Sequence, residues 1–109
     1  MFKVEKYLAM PKEIEIDGEK VMVYPLDLDS IDLAFKLSID NIDIQAEAYK
    51  EMLIRTILRM DPSSNRDQIK KMGIQSASKI LEAMVEVNNV GEISEEEKEK
   101  ILSKFKSLR

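Results

Sequence analysis

Apolar and polar residues alternate with a period of two from Lys12 to Tyr24. The segment is centred on Asp17-Gly18, a dipeptide that tolerates the positive φ angles of a type I′ turn. The pattern predicts a hairpin with a two-residue loop, in which Ile14 lies opposite Val21 on one apolar face. Because an isolated two-stranded ribbon is marginally stable in water, helices or another subunit are expected to cover that face.

After Pro25 the apolar period lengthens to about 3.6 residues, which predicts a helix. Asp27 or Asp29 is placed to accept amide hydrogen bonds at its start, and Asp32 complements the helix dipole. The stripe predicted to face the core has spacings of three and four residues and consists of Leu28, Ile31, Phe35, Ile39 and Ile42, with Ala34 and Leu37 widening it.

Three further helices are predicted downstream, in chain order about Asp43 to Met60, Ser64 or Asn65 to Met72, and Ser76 to Asn88. Pro62 ends the first of them by disfavouring the helical conformation at Asp61. Gly73 is expected to end the second in the left-handed conformation, and Ser76 or Gln75 to cap the third. The apolar stripes together predict a core that includes Ile31, Phe35, Leu53, Ile57, Ile80, Leu81 and Met84.

A last helix is predicted from Ser94 to the C-terminus, because Ser94 and Glu97 have the spacing of a capping box. Its apolar residues form a thin seam of Ile101, Leu102, Phe105 and Leu108. Such a seam is too narrow to hold a lone helix firmly in water, so this helix is predicted to be the most mobile one. The chain is therefore divided into a domain at residues 1–91 and a charged amphipathic helix at residues 92–109.

Composition limits the class of protein. The chain has 109 residues, 44% of them hydrophobic and 35% charged, which predicts one small domain. The elements predicted above make its fold class α+β, mainly helical, with an N-terminal β-hairpin and four to five amphipathic helices. Cysteine and histidine are both absent, which excludes disulfides, thiolate or imidazole metal sites and imidazole catalysis. We therefore expect no enzyme activity, no cofactor and no metal.

The acidic cluster of Asp27, Asp29 and Asp32 admits a second interpretation, as a cation or acid–base site. Helix capping is favoured, since no Gly follows at the position that a calcium loop needs. An enzyme using these carboxylates stays as the third hypothesis for function.

Nucleic-acid and membrane partners are not expected. The net charge is −4 and no basic patch emerges, although the third and fourth helices, with Gln75 and Lys79 near the start of the fourth, leave a DNA-binding regulator as the alternative hypothesis. No apolar run reaches the length of a membrane span, and Lys3, Glu5 and Lys6 interrupt the N-terminal segment where a signal peptide would be apolar. A cytoplasmic protein is the expectation.

The apolar pattern favours interaction with another protein. Five amphipathic elements and a one-faced hairpin leave apolar surface in need of cover. Four of the seven methionines occupy core-like helical positions: Met52, Met60, Met72 and Met84. Packing in the core is the favoured role for them, but thioether side chains also suit surfaces that bind a partner. The oligomeric state stays open, a homo-oligomer included.

The order of these elements resembles that of the tail assembly chaperones of long-tailed bacteriophages and prophages. The resemblance spans about residues 12 to 91 and is carried by the hairpin on Ile16 to Lys20, by Pro25-Leu26 before an acid-capped helix, by the segment Ser64 to Met72, and by the ending from Ile80 to Asn89. In similar proteins that last helix closes on Asn and then commonly Gly, whereas Asn89 stands here in place of the Gly.

This resemblance implies a non-enzymatic chaperone. It would bind the tape-measure protein and keep its apolar helical segments in solution while tail-tube subunits polymerise around it. It would act in the host cytoplasm and be absent from the mature virion.

Overall fold

The computed structural model describes residues 1–8, 10–88, 96 and 99–103. Its elements are, in chain order, a 3₁₀ turn at Val4–Tyr7, β1 (Lys12–Ile16), β2 (Glu19–Val23), a 3₁₀ turn at Leu28–Ser30, α1 (Ile31–Leu37), α2 (Ile42–Met60), α3 (Arg66–Lys70) and α4 (Ile74–Val87), and residues 99–103 are also helical. A two-stranded antiparallel hairpin followed by helices confirms the predicted α+β, mainly helical class.

The hairpin has the predicted turn and register. Asp17 and Gly18 adopt positive φ angles of 52° and 82°, as a type I′ turn requires, and Ile14 pairs with Val21. Side chains on the apolar face are partly or fully buried, whereas those between them are exposed. Helix α4 packs against both strands, and an ion pair joins Lys12 of β1 to Glu86 of α4. Helices thus cover the hairpin, as expected for so small a sheet.

The region after Asp27 is helical as predicted, but it is a 3₁₀ turn followed by the short helix α1 at Ile31–Leu37, and α1 turns a different face inward. The Asp27 carboxylate accepts a hydrogen bond from the Asp29 amide at 3.1 Å and so caps the 3₁₀ turn that leads into α1. The residue that α1 buries is Leu33, 1% exposed, with Leu37 packed partly beside it. The prediction that Ile31 and Phe35 lie in the core is wrong, since both are exposed.

Helix α2 is the central element and contacts α1, α3, α4 and β2. Asn41 caps its start, where the side-chain oxygen accepts hydrogen bonds from the amides of Asp43 and Ile44 at 2.9 and 3.2 Å. Its inward face is apolar and includes the predicted core residues Leu53 and Ile57. The bounds agree with the prediction to within one residue at each end.

The boundary between α3 and α4 differs from the prediction. Asn65 and Gln68 form a capping box at the start of α3, which confirms Asn65 as a predicted cap. Gly73 is not left-handed: it is extended, with φ −63° and ψ 141°, and precedes α4 as its N-cap. Hydrogen bonds between residues three apart already close α3 at Lys71. Helix α4 therefore begins at Ile74, and no side-chain cap is formed by Ser76 or Gln75.

Asn88 ends α4 and also joins it to the hairpin. Its Nδ2 donates to the carbonyl oxygen of Met84 at 2.7 Å, and its Oδ1 accepts from the amide of Leu26 at 2.8 Å. The second bond links residues 62 positions apart in the chain. The segment leaving β2 is also held by Arg59, whose guanidinium lies 4.7 Å from the Tyr24 ring centre and donates to the carbonyl of Pro25.

Among the described residues, a hydrophobic core cluster is formed mainly by α2 and α4. Its buried members are Leu33, Ala48, Met52, Leu53, Ile54, Ile57, Ile69, Ile80, Leu81, Met84, Val85 and Ile101. Ile101 is 3% exposed and Leu102 packs against the cluster, so this part of the last helix lies on the domain. The predicted capping box of Ser94 and Glu97, and also Phe105 and Leu108, lie outside the described residues.

Candidate functional site

Five large apolar side chains at the start of the helical region are exposed. We call them together the α1 stripe: Leu28 lies in the 3₁₀ turn, Ile31 and Phe35 lie on α1, Ile39 follows α1, and Ile42 begins α2. Their side chains are between 40% and 83% exposed. Large apolar side chains are ordinarily exposed one at a time, so five of them within fifteen residues are a candidate binding surface.

The exposure of the stripe follows from the geometry of α1. Residues two apart on a helix differ by about 200° in direction, so the pair Ile31 and Phe35 points away from the pair Leu33 and Leu37. Only one pair can face α2. The structure buries Leu33 and Leu37, which leaves the other pair in solvent. Leu33 and Leu37 have the same four-residue spacing as Ile31 and Phe35. The sequence therefore contains two apolar faces for this helix, either of which could be buried.

A polar clamp fixes this orientation of α1. Arg55 of α2 donates to the Ser30 hydroxyl at 3.0 Å and to the Asp32 carboxylate at 3.3 and 3.5 Å. Ser30 is buried. Both partners flank Ile31, so the clamp holds this end of α1 against α2 while the Ile31 side chain points outward. This clamp was missed from the sequence, because residues 30 and 55 are 25 positions apart, with α1, a short connection and the first part of α2 between them.

Arg55 belongs to a larger ion-pair network on the same side of α2. Its Nε donates to Glu51 at 3.2 Å, and Arg66 of α3 binds the same carboxylate with both Nη atoms, at 2.8 and 2.5 Å. The hydrogen bonds from Arg66 lower the pKa of Glu51 below its ordinary value of 4.5; Arg55 adds to this, against partial burial, which acts to raise it. Glu51 thus joins α1, α2 and α3 through two arginines.

The acidic cluster is divided between two structural tasks. Asp27 caps the 3₁₀ turn, and Asp32 pairs with Arg55. Within the part of the chain that the structure describes, no three carboxylates are grouped so that they could hold a metal ion. This arrangement accounts for both side chains as elements of the fold, in agreement with the capping interpretation of Asp27.

A second apolar surface is a groove of about 890 Å³ between β2 and α3, which we call the β2–α3 groove. Its apolar lining consists of Val21, Met22, Tyr24, Ile57, Met60, Ile69, Met72 and Ile80. Of the four methionines singled out from the sequence, Met52 and Met84 are buried in the core, whereas Met60 and Met72 are half-buried at this groove. Thioether side chains adapt to differently shaped partners, so the groove is a second candidate surface.

Helices α3 and α4 do not present an exposed helix start of the kind that a helix-turn-helix protein inserts into DNA. Arg66–Lys70 is little more than one turn, and Ser76, Ala77 and Ser78 near the start of α4 are half-buried. Gln75 and Lys79 are exposed there. Among the described residues no helix is both long and apolar enough to cross a bilayer.

No family model, curated protein or solved structure matches the chain.

Proposed function

We propose that this protein is a non-enzymatic tail assembly chaperone of the phage type, which binds a tape-measure protein and assists assembly of the tail tube. The single observation that carries the proposal is the exposed α1 stripe, which provides an apolar surface for the helical segments of a partner. The proposal also draws on the order of elements, since a hairpin, an acid-capped helix and three further helices are the features on which the resemblance rests.

In the proposed mechanism, the protein binds reversibly to the apolar helix surfaces of the tape-measure protein and covers them. A tape-measure protein is long and helical, and its apolar faces aggregate unless something shields them before the tube forms. The α1 stripe lies on the outside of a folded domain, held there by Arg55, so it can be offered to a partner without unfolding the chaperone. This role places the protein in the host cytoplasm and outside the finished virion.

Co-expression tests this function. The chain is expressed with the tape-measure protein and the tail-tube protein encoded near its own gene, and the soluble fraction and complexes are measured. We expect the tape-measure protein to stay soluble and to co-purify with the chain. Failure to bind any tail component would overturn the proposal. Salt-sensitive binding of duplex DNA at physiological ionic strength would instead favour the regulator hypothesis.

A further inference from the structure

Carboxylates are next to the residues of the α1 stripe in the chain. Asp27 and Asp29 flank Leu28, Asp40 follows Ile39, and Asp43 follows Ile42; all four acids are exposed. We call these four residues the acidic rim. Lys36 is the sole basic residue between positions 27 and 43. An apolar strip edged by negative charge is therefore the surface that a partner meets.

We propose that the α1 stripe binds an amphipathic helix whose apolar face is flanked by lysine or arginine. This inference deepens the proposed function and rests on it, because it names the surface used and the chemistry of the partner segment. Its basis is the combination of five exposed apolar side chains with an acidic rim along both ends of the strip.

The shape of the stripe favours a helix as the occupant. Ile31 and Phe35 lie on α1 at the four-residue spacing of a helix ridge, which packs into the grooves of another helix, and Leu28 lies in the 3₁₀ turn directly before them. An added β-strand would instead need a free sheet edge, and α1 offers its side chains rather than unpaired strand backbone.

The charge of the rim selects among possible occupants. In a symmetric contact with a second copy of this chain the same patch meets itself, so the rim would oppose its own carboxylates. Anionic lipid headgroups would be repelled for the same reason. Basic residues beside the apolar face of a partner helix would pair with the rim, which steers association and fixes orientation.

Synthetic peptides provide the test with the full chain. The probe is a labelled helical peptide of about 18 residues, five turns, with leucines on one face and lysines beside them; a matched peptide has glutamates in place of the lysines. Binding is followed by fluorescence anisotropy. We expect the lysine peptide to bind at least about tenfold more tightly than the glutamate peptide at low salt, and the difference to shrink as salt screens the rim.

Variants locate the binding surface. Phe35→Ser removes a 66% exposed side chain from the stripe, and its matched control Ile74→Ser removes a 47% exposed one from the start of α4. Phe35→Ser should weaken the lysine peptide about tenfold and Ile74→Ser less than about twofold, with unchanged circular dichroism for both. Equal losses in the two variants would overturn the proposal.

A charge reversal tests the rim separately. Asp40→Lys should weaken the lysine peptide by about threefold and strengthen the glutamate peptide. Glu13→Lys on the exposed face of β1 makes the same change in net charge away from the stripe and should have a smaller effect. If the two charge reversals weaken binding of the lysine peptide equally, binding depends only on the net charge of the protein and the proposed site is wrong.

Two further readouts separate this inference from the chaperone function. If wild type and Phe35→Ser capture the tape-measure protein equally well, the stripe is not the surface used, although the chaperone function stands. If the stripe binds the lysine peptide but no tail component binds the chain, the site stands and the chaperone function fails. If sedimentation shows a dimer that Phe35→Ser dissociates, a second copy occupies the stripe and the inference is overturned.

Discussion

Helices α1 and α4 have apolar residues at the same three- and four-residue spacings, yet only α4 buries all of the predicted ones deeply or in part. Helix α4 lies between α2 and the two strands, so neighbours surround its apolar face. The main contacts of α1 are with α2 and the preceding 3₁₀ turn. Spacing therefore identifies residues that share a helix face, whereas burial depends on whether another element lies beside that face.

The largest expected change in the free energy of unfolding comes from substitutions in the core between α2 and α4. Leu53→Ala or Ile80→Ala should lower the free energy of unfolding by about 2 to 5 kcal/mol, because each removes a buried side chain from a packed core and leaves a cavity. Denaturant titration measures the loss. A loss under about 1 kcal/mol would show that these faces are less packed than the structure has them.

Within α1, Leu33→Ala should lower the free energy of unfolding by about 2 to 3 kcal/mol. Leu33 is 1% exposed, so truncation loses its burial, although a seven-residue helix at the edge of the domain can relax into the space. Urea titration against the wild type is the measurement. If Leu33→Ala proves neutral, the inward face of α1 is wrongly assigned, and the stripe with it.

Asn88→Ala should cost about 1 to 2 kcal/mol, since it leaves the Leu26 amide and the Met84 carbonyl without their side-chain partner. Hydrogen exchange should show faster opening at the Leu26 amide in particular. Asn88→Asp is the matched variant, because it retains an acceptor for Leu26 and loses the donor for Met84. Equal exchange at Leu26 in both variants would show that this bond is not what holds the hairpin exit.

Glu51→Gln should cost about 1 kcal/mol at pH 7 by weakening the ion pairs with Arg55 and Arg66. The folded-state pKa of Glu51 lies below its ordinary value, so the stabilisation is complete above that ordinary value and is lost as pH falls through the folded-state pKa. The stability difference between wild type and Glu51→Gln should therefore shrink as the pH falls below the ordinary value of 4.5 and into the acid range. A difference that does not shrink on acidification would contradict the role of the carboxylate charge.

The smallest effect is expected for Phe35→Ala. Its side chain is already 66% exposed, so the free energy of unfolding should change by less than about 0.5 kcal/mol. The thermal midpoint of this variant, measured beside that of Leu33→Ala, compares the two faces of one helix directly. A loss similar to that of Leu33→Ala would mean that Phe35 is covered in solution, by a second copy or by another part of the chain.

Local signals in the sequence determined the elements and several of their ends. Asp17-Gly18 and the alternation around it set the hairpin register, since a two-residue turn leaves one way to pair the strands. Asp27 and Asn65 act as the predicted caps because a side chain that satisfies an amide two or three residues on needs no distant partner. For the candidate site, the spacing grouped Leu28 to Ile42 as one face but assigned that face to the core.

The tertiary structure alone decided which side of α1 is buried. Two apolar pairs lie on opposite sides of that helix, and their spacing is equally helical, so the choice depends on α2 and on the bonds from Arg55 to Ser30 and Asp32. The hydrogen bond from the Leu26 amide to Asn88 likewise joins residues far apart in the chain, across 62 positions. Such contacts depend on how elements distant in the chain pack against each other, and a local pattern of residues contains no information about that packing.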